Sequence, residues 1–322
     1  MLTELPPLTL VLLMAAGIAL DLLLGEARRW HPLVGFGNLA AWLERRLNDG
    51  NARFARGALA WSLAVLPIGA LAWFACAAAT PSVGLALHAA LLYLCIGLRS
   101  LRDHALPIHD ALAAGDLPRA RWLTSRIVSR DTTQAGEADL AKAGAESLLE
   151  NGNDAVFGTL FWFLAGGGAG AVLFRLANTL DAMWGYRTER YNLFGRTAAR
   201  IDDAMNYLPA RLTALSYVLL ASANRREAWR CWRAQAPQWS SPNAGPVMAS
   251  GAGALGVTLG GAATYGGAVE ARPVLGSGPA ARAGDIVRAW RLVRRTALLW
   301  TVAALAAGAA IQWMQPGGGA HA

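Results

Sequence analysis

Residues 146–174 read ESLLENGNDAVFGTLFWFLAGGGAGAVLF, and this stretch decides the fold class. Its second part, 155–174, carries no charged side chain and matches the length of about 17 to 25 residues with which a helix crosses a bilayer. Its first part brings Glu146, Glu150 and Asp154 to the edge of that apolar run. Because a carboxylate is costly at a membrane, these three acids indicate that this edge has a function.

The composition of the whole chain agrees with a membrane protein. Of its 322 residues, 55% are hydrophobic and only 16% are charged, whereas soluble domains carry about 25% charged residues. Uncharged or nearly uncharged runs of spanning length occur at 8–24, 58–80, 83–98, 155–174, 208–222 and 297–314. We therefore predict an all-α, polytopic integral membrane protein that forms one domain over 1–322 and has about four to six membrane segments. The polar loops 99–154 and 175–207 are predicted to be helical and to carry the site.

The arginines predict the topology. The polar stretches 25–57, 99–154 and 175–207 each hold several arginines, whereas the turn at 81–82 holds none. By the positive-inside rule the arginine-bearing loops face the cytoplasm and the 81–82 turn lies outside. A single crossing by the central apolar run would put 175–207 outside, against this rule. The interruption at Gly166–Gly170 favours a re-entrant hairpin that returns to the cytoplasmic side, and close helix packing through small residues is the alternative.

Several classes of protein are excluded. The net charge of +8 is spread along the chain without a basic soluble domain, so nucleic acid is not an expected partner. The three cysteines are isolated and form no C-x-x-C pair, so neither disulfides nor zinc are expected. Lys142 is the only lysine and follows alanine, so a G-x-x-x-x-G-K-[ST] nucleotide loop is absent.

The glycine-rich stretch 244–267 has too many small residues for a helix to be predicted there.

Four charged residues form one stripe on the helix before the central apolar run. Lys142, Glu146, Glu150 and Asp154 follow one another at four-residue intervals, which places them on one helix face. Stacked acids repel one another unless a cation lies between them, so the stripe predicts a metal site. The alternative is a solvated helix face on which Lys142 pairs with Glu146.

A second polar cluster follows the apolar run, in RLANTLDAMWGYRTERYNLFGRTAARIDDAMNYLPARLTAL at 175–215. Its acids and amides share helix faces in two pairs, Asn178 with Asp181 and Asp202 with Asn206. Such groups, together with the arginines of the same stretch, suit Mg²⁺ and phosphate oxygens. The alternative is an interfacial helix whose aromatic residues form a belt at the membrane surface.

Taken in order, these motifs resemble the CobD/CbiB family of adenosylcobinamide-phosphate synthases. The resemblance rests on ALDLLLGEARRWHPLVGFGNLAAWLERRLN at 19–48, on SRDT at 129–132 followed by ES-x-x-EN-x-x-D, on NTLDAMWGYRTERYNLFGR with the DD-x-x-NYLPARLTAL after it, and on SPNAG at 241–245. It extends from about residue 15 to residue 275.

The resemblance implies a multi-pass enzyme of the bacterial inner membrane that acts in cobalamin biosynthesis. Enzymes of this family are ATP-dependent carbon–nitrogen ligases. They join aminopropanol or its O-phosphate to the free propionate of adenosylcobyric acid by an amide bond, which gives adenosylcobinamide or its phosphate. ATP and Mg²⁺ are thus the expected cofactors, the corrinoid and the amine are the expected substrates, and the lipid bilayer is the expected surrounding.

The positions that match the family motifs are the candidate site residues. As catalytic residues we expect Glu146, Glu150, Asp154, Asp181 and Asp202. As metal ligands we expect Glu146, Glu150, Asp154 and Asp203. As residues that bind the substrates or their phosphates we expect His31, Arg130, Asp131, Asn151, Asn178, Trp184, Arg187, Asn206, Arg211 and Asn243. Asp21 and Ser241 also match the motifs, and the aromatic stretch 184–194 is expected to border a groove for the corrin.

The sequence departs from the usual family pattern at a few positions, which leaves other functions open. Ala27 and Thr159 stand where a proline is usual, and the leucine that usually follows the SRDT motif is missing. One alternative is a non-catalytic, AmpE-like membrane sensor, or a scaffold whose partners are other membrane enzymes of cobalamin assembly. Another is a small-molecule transporter, which would hold its acids near the middle of the membrane rather than at the edges of the apolar runs.

Overall fold

The structure is a computed structural model that describes residues 5–27, 31–265 and 267–314. Within these ranges nearly all regular structure is helical. The α-helices are α1 Pro7–Leu24, α2 Pro32–Leu47, α3 Arg53–Ala78, α4 Pro81–Cys95, α5 Leu98–Ala113, α6 Leu117–Ser125, α7 Glu137–Gly152, α8 Gly158–Trp184, α9 Arg196–Leu220, α10 Arg225–Gln235, α11 Ala244–Leu255 and α12 Ala283–Met314. A π-helix, Asn153–Phe157, joins α7 to α8, and short 3₁₀-helices lie at Ser222–Asn224 and Ala236–Gln238.

In the part of the chain that the structure describes, five helical stretches are long and apolar enough to cross a membrane. They are Pro7–Leu24, Arg53–Ala78, Pro81–Ala113, Glu137–Trp184 and Ala283–Met314. The predicted fold class, an all-α polytopic membrane protein, is confirmed. The apolar run 208–222 lies mainly in α9, which is not one of the five, so a membrane segment there stays a prediction.

The contacts divide the chain into two compact units. The first comprises the chain up to Ile96, Thr159–Asp202 and the chain from Leu298 onward. The second comprises Gly97–Gly158 and Asp203–Ala297.

The first unit exposes large apolar side chains, as a lipid-facing surface does. On α3, Leu63 is 50% exposed, Leu71 is 66% exposed and Trp73 is 60% exposed. A soluble unit would rarely expose so contiguous an apolar surface, whereas a bilayer solvates it. The membrane segments predicted at 8–24, 58–80 and 83–98 therefore correspond to α1, α3 and α4 of this unit.

The central apolar run of the first unit reverses its direction. Helix α8 breaks at Gly166 (φ −134°, ψ 15°) and at Gly167 (φ 62°, ψ −151°). A Cβ atom added to Gly170 would lie 2.2 Å from the carbonyl oxygen of Trp162. In a straight helix these two residues would be about 12 Å apart, so the two arms of α8 fold back on each other.

The second arm of this hairpin runs along α4. The Gly168 N–H donates a hydrogen bond of 2.8 Å to Nδ1 of the buried His88. Further along both helices, Leu176 and Cys95 line one apolar groove. The arm thus leads in the same direction as α4, away from the 81–82 turn at which α4 begins. This geometry agrees with the re-entrant hairpin that the glycines predicted.

Reporter fusions test the topology that follows from this hairpin. A fusion at Ser82 should read external, and fusions at Gly115 and Arg190 should read cytoplasmic, because the hairpin returns the chain to the side from which it entered. Alkaline phosphatase and fluorescent-protein fusions to the full chain give complementary readings at each site. An external reading at Arg190 would replace the re-entrant hairpin by a plain span.

The second unit packs helices and a two-stranded sheet against α7, and a second two-stranded sheet is inserted in the chain between the strands of the first. Asp116 caps α6, since its carboxylate accepts a hydrogen bond of 3.1 Å from the Arg119 N–H. The strands are β1 Thr258–Gly260, β2 Ala263–Tyr265, β3 Ala268–Glu270 and β4 Val274–Gly276. Strand β1 pairs antiparallel with β4, with Leu259 opposite Leu275, and the β2–β3 hairpin lies between them in the chain.

Helix α11 lies in the glycine-rich stretch for which no helix was predicted. All of its residues are buried. A Cβ atom at Gly251 would lie 2.7 Å from Leu149 of α7, and one at Gly253 would lie 2.7 Å from the Ala228 backbone of α10. The glycines that weaken the helix in isolation therefore allow the close packing that stabilises it in the fold.

Candidate active site

Glu146 is the centre of a buried ion network in the second unit. Its side chain is 2% exposed and forms an ion pair with the Arg130 guanidinium. A second guanidinium, that of Arg272, lies 3.5 Å from the same carboxylate oxygen. The other oxygen accepts a hydrogen bond of 2.7 Å from the Gly260 N–H in β1. Such a carboxylate is fixed in position and fully compensated in charge.

Lys142 does not pair with Glu146. Its Nζ atom lies 3.3 Å from the carboxylate of Asp139, on the outer side of α7. The alternative of a solvated face with a Lys142–Glu146 pair is therefore wrong, because Glu146 points into the unit and binds arginines instead.

Arg272 is a site residue that the sequence analysis missed. It lies between β3 and β4, where its Nε donates to the Gly261 carbonyl at 3.1 Å and its guanidinium stacks over the Trp239 ring at 5.3 Å. It thereby ties the hairpins to Glu146 on α7. The available signal was that Arg272 is the first basic residue after the glycine-rich stretch 244–267.

Glu150 follows Glu146 by one turn of α7 and differs from it in every contact. Its side chain is half-buried, and among the described residues it accepts no hydrogen bond and forms no ion pair. The carboxylate therefore remains available to a ligand. The positive charges of Arg130 and Arg272 attract the Glu150 carboxylate, and the negative charge of Glu146 repels it.

The predicted Mg²⁺ ligands do not fit that ion. Glu146 is already engaged by two guanidinium groups and a backbone N–H, which leaves little room for a metal. The part of the chain that the structure describes contains no group of three or more His, Cys, Asp or Glu side chains placed to hold a metal. We therefore derive no chemical step through Mg²⁺ at Glu146, Glu150, Asp154 and Asp203.

The other acids and amides of the second unit belong to two separate clusters. In the first, Asn153 in the π-helix donates to Asp154 at 3.0 Å and to Asn206 at 2.9 Å, and it accepts from Thr213 at 3.0 Å. π-helical turns occur frequently at functional sites. Asp154 lies in the first turn of this π-helix, directly after α7. The Asn151 amide bonds back to Ser147 within α7.

The second cluster joins α9 to the start of α11. Arg211 donates to Asn243 at 2.7 Å and stacks over the Tyr207 ring at 3.6 Å. Asn243 in turn donates to the Asp203 carbonyl at 2.9 Å, and Ser241 accepts hydrogen bonds from the backbone N–H groups of Asn243 and Ala244. These contacts fix the SPNAG turn against α9.

The remaining candidates lie in the first unit. Asn178 donates a hydrogen bond of 3.2 Å to the Asp202 carboxylate, a contact that joins members of the two predicted pairs. His31 caps α2 by accepting from the Leu33 N–H. Trp184 is 1% exposed and packs against the Phe194 ring. The described residues therefore cover this indole, and they leave no exposed face of it for the expected contact with the corrin.

The other positions in the first unit are placed as follows. Arg187 is exposed, whereas Asp21 is 2% exposed. The Asp181 carbonyl accepts the Gly185 N–H that ends α8.

The segment after α8 is held by an ion pair that the sequence analysis missed. The Arg190 guanidinium donates two hydrogen bonds, of 2.9 Å and 2.7 Å, to the carboxylate of the buried Glu44. These bonds hold the pKa of Glu44 below its ordinary value. The bidentate pair fixes residues 185–195 to α2.

A polar cleft of about 390 Å³ opens in the second unit beside the ion network. It lies between the loop after α6, the first turns of α7 and the β2–β3 hairpin. Its charged lining consists of Arg130, Asp131, Asp139 and Lys142. Asp131 is exposed, and its carboxylate accepts the N–H and the hydroxyl of Thr133, which keeps its pKa below the ordinary value.

Fold and site together define a helical membrane protein with a buried, arginine-paired carboxylate in its second unit. Residues 14–293 match the family described as CobD/Cbib protein, and the chain belongs to this family. The family that the motifs resembled is thereby confirmed.

Relatives in several bacteria share most of the chain. A protein of Stutzerimonas stutzeri is 58% identical over 250 residues, which is 77% of this chain and 81% of the relative. A protein of Chromobacterium violaceum is 55% identical over 262 residues, which is 79% of this chain and 82% of the relative. One of Listeria monocytogenes is 34% identical over 266 residues, or 80% and 84% of the two chains. All three are named Cobalamin biosynthesis protein CobD. No solved structure matches the chain.

Proposed function

We propose that the protein is an ATP-dependent ligase of cobalamin biosynthesis that joins aminopropanol or its O-phosphate to the free propionate of adenosylcobyric acid. Membership of the CobD/Cbib family and the names of the relatives support the pathway. The structural observation that carries the proposal is Glu150, a half-buried carboxylate without a partner among the described residues, one turn from the arginine-bound Glu146. In this proposal the protein resides in the bacterial inner membrane, with the second unit in the cytoplasm, where ATP is available.

The reaction needs an activated acid and a free amine. A propionate oxygen first attacks the terminal phosphorus of ATP, so that an acyl phosphate forms and ADP leaves. The amine nitrogen then attacks the acyl carbon, the C–N bond forms, and the C–O bond to phosphate breaks. The amine arrives as an ammonium ion and must lose a proton before it can attack. A positioned base for such a proton contributes about a hundredfold to ten-thousandfold in rate.

Glu150 is the base in this scheme. Its carboxylate takes the proton of the ammonium group and passes it to solvent after the amide has formed. Arg130 and Arg272 act as positioning residues that hold Glu146 and the hairpins. Their buried positive charges also favour the anionic groups of the acyl phosphate and of the departing phosphate nearby. Because Glu146 compensates part of that charge, the site remains stable in the absence of substrate.

A single assay with the purified protein tests the proposal. The protein in detergent is incubated with adenosylcobyric acid, Mg-ATP and either aminopropanol or its O-phosphate. We expect a corrinoid product whose mass exceeds that of adenosylcobyric acid by the amine minus water, together with one ADP for each amide formed. A folded protein that makes no product and releases no ADP with either amine would instead support the AmpE-like sensor or scaffold.

A further inference from the structure

We propose that the polar cleft of the second unit binds a phosphoryl group and that Lys142 is its principal recognition residue. The inference rests on the proposed function, because it assigns a subsite for one of the phosphorylated substrates. Two sources could supply the group, the phosphomonoester of the amine or the phosphates of ATP. Their shared chemistry is a small dianionic oxygen cluster, and the experiment below distinguishes them.

Arg130 and Lys142, the two cations that line the cleft, can both donate hydrogen bonds to an anion. Arg130 uses one nitrogen for Glu146, and its guanidinium has further N–H donors at the edge of the cleft. Among the residues that the structure describes, Lys142 makes an ion pair with Asp139 alone, whose side chain is 61% exposed. Such an exposed ion pair is weak, because solvent screens the charges. A phosphate that bridges Lys142 and Arg130 forms stronger, charge-assisted hydrogen bonds, and it displaces the Asp139 carboxylate from Lys142.

The two acids of the cleft do not cancel this attraction. Asp131 is already satisfied by Thr133, which donates to it through both its N–H (2.8 Å) and its hydroxyl (2.7 Å). Asp139 lies at the solvent side and can turn away from the cleft without losing a buried contact. Lys142 itself is only 16% exposed, so its ammonium group is held at the cleft rather than in bulk solvent.

Lys142 and Glu150 lie on the same helix, eight residues and about 12 Å apart along the axis of α7. Lys142 lines the cleft and Glu150 does not, so the phosphoryl subsite is separate from the proposed base.

The choice of lysine gives the site a chemical handle. The chain has 29 lysine and arginine residues, and Lys142 is the only lysine among them. Pyridoxal 5′-phosphate presents a phosphate and an aldehyde, so it should bind the cleft and form an imine with the Lys142 amine, with loss of water. Borohydride then reduces the imine to a stable secondary amine, which peptide mass mapping locates.

The test measures protection of Lys142 from this label in the full-length protein. Aminopropanol O-phosphate, ATP, inorganic phosphate and unphosphorylated aminopropanol are titrated separately. We expect a phosphorylated compound to protect Lys142 at a concentration at least tenfold lower than unphosphorylated aminopropanol does. Protection by the amine phosphate assigns the subsite to the amine, and protection by ATP alone assigns it to the nucleotide. If no phosphorylated compound protects better than aminopropanol, the inference is overturned.

Variants provide a second measurement. Lys142→Met should raise the KM or Kd of the protecting compound at least tenfold and leave that of unphosphorylated aminopropanol unchanged. Lys142→Arg keeps the charge and should retain most of the affinity. Equal losses for both amines and for ATP would assign Lys142 a structural role instead. Because labelling needs no turnover, protection without ligase activity would overturn the proposed function and leave the subsite standing.

Discussion

Replacing Glu150 by glutamine is expected to lower kcat at least about a hundredfold while leaving the protein folded. The amide keeps the volume of the side chain but cannot accept the proton of the attacking ammonium group. A hundredfold loss corresponds to about 2.7 kcal/mol of transition-state stabilisation. The measurement is the initial rate of amide formation with both substrates saturating, together with the melting temperature in detergent. Since Glu150 makes no hydrogen bond or ion pair among the described residues, the melting temperature should change little.

The same substitution at the neighbouring glutamate should have the opposite signature. Glu146→Gln leaves Arg130 and Arg272 without their shared carboxylate, and breaking a buried ion pair costs about 3 to 5 kcal/mol. We expect a large fall in melting temperature and in the yield of folded protein. Glu137→Gln, at an exposed position in the first turn of α7, is the matched control and should change neither quantity appreciably.

An active Glu150→Gln enzyme would remove Glu150 from the mechanism.

The second large effect is expected at Gly170. Replacing it by alanine places a Cβ atom 2.2 Å from the Trp162 carbonyl oxygen, a distance that neither backbone can accept without moving. Because both contacting groups belong to the backbone, we expect a cost at or above the upper end of overpacking effects, about 3 kcal/mol or more. Thermal unfolding in detergent and the fraction of monodisperse protein measure it.

Gly166 provides the matched control for this hairpin. It lies in the same glycine run, its φ of −134° is open to any residue, and a Cβ atom there would meet nothing within 4 Å. Gly166→Ala should therefore change the free energy of unfolding by no more than about 0.5 kcal/mol. Equal effects of the two substitutions would contradict the close contact of the two arms and favour a single straight span.

The sequence predicted the parts of the fold that depend on local pattern. The apolar runs predicted the membrane helices. The glycine run predicted the hairpin, because glycine readily adopts a positive φ and, having no side chain, lets two backbone segments come close together. Helix α11 escaped prediction, because its stability comes from contacts with α7 and α10 that are remote in the chain. The π-helical turn at Asn153–Phe157 was not predicted either, because local pattern does not reveal it.

The sequence identified candidate residues for the site, but it did not predict which of them contact each other. The stripe on α7 treated Glu146 and Glu150 as equivalent, since both are acids at the same helical spacing. The fold separates them, because Arg272 and the Gly260 N–H reach only Glu146. Those partners lie more than a hundred positions further along the chain, and no spacing rule joins them to α7. The family motifs supplied the remaining candidates without saying which of them meet.

The buried network around Glu146 also orders events in time during synthesis of the chain. Arg130 precedes Glu146 by 16 residues, so it is already present when the acid leaves the ribosome and the apolar run behind it approaches the membrane. Arg272 follows 126 residues later, which at about 5 to 20 residues per second is a delay of roughly 6 to 25 seconds. Arg130 is thus available to Glu146 from the start, whereas Arg272 becomes available only after most of the chain has been made. A chain that ends before residue 272 lacks one of the two arginines that bind Glu146 in the folded protein.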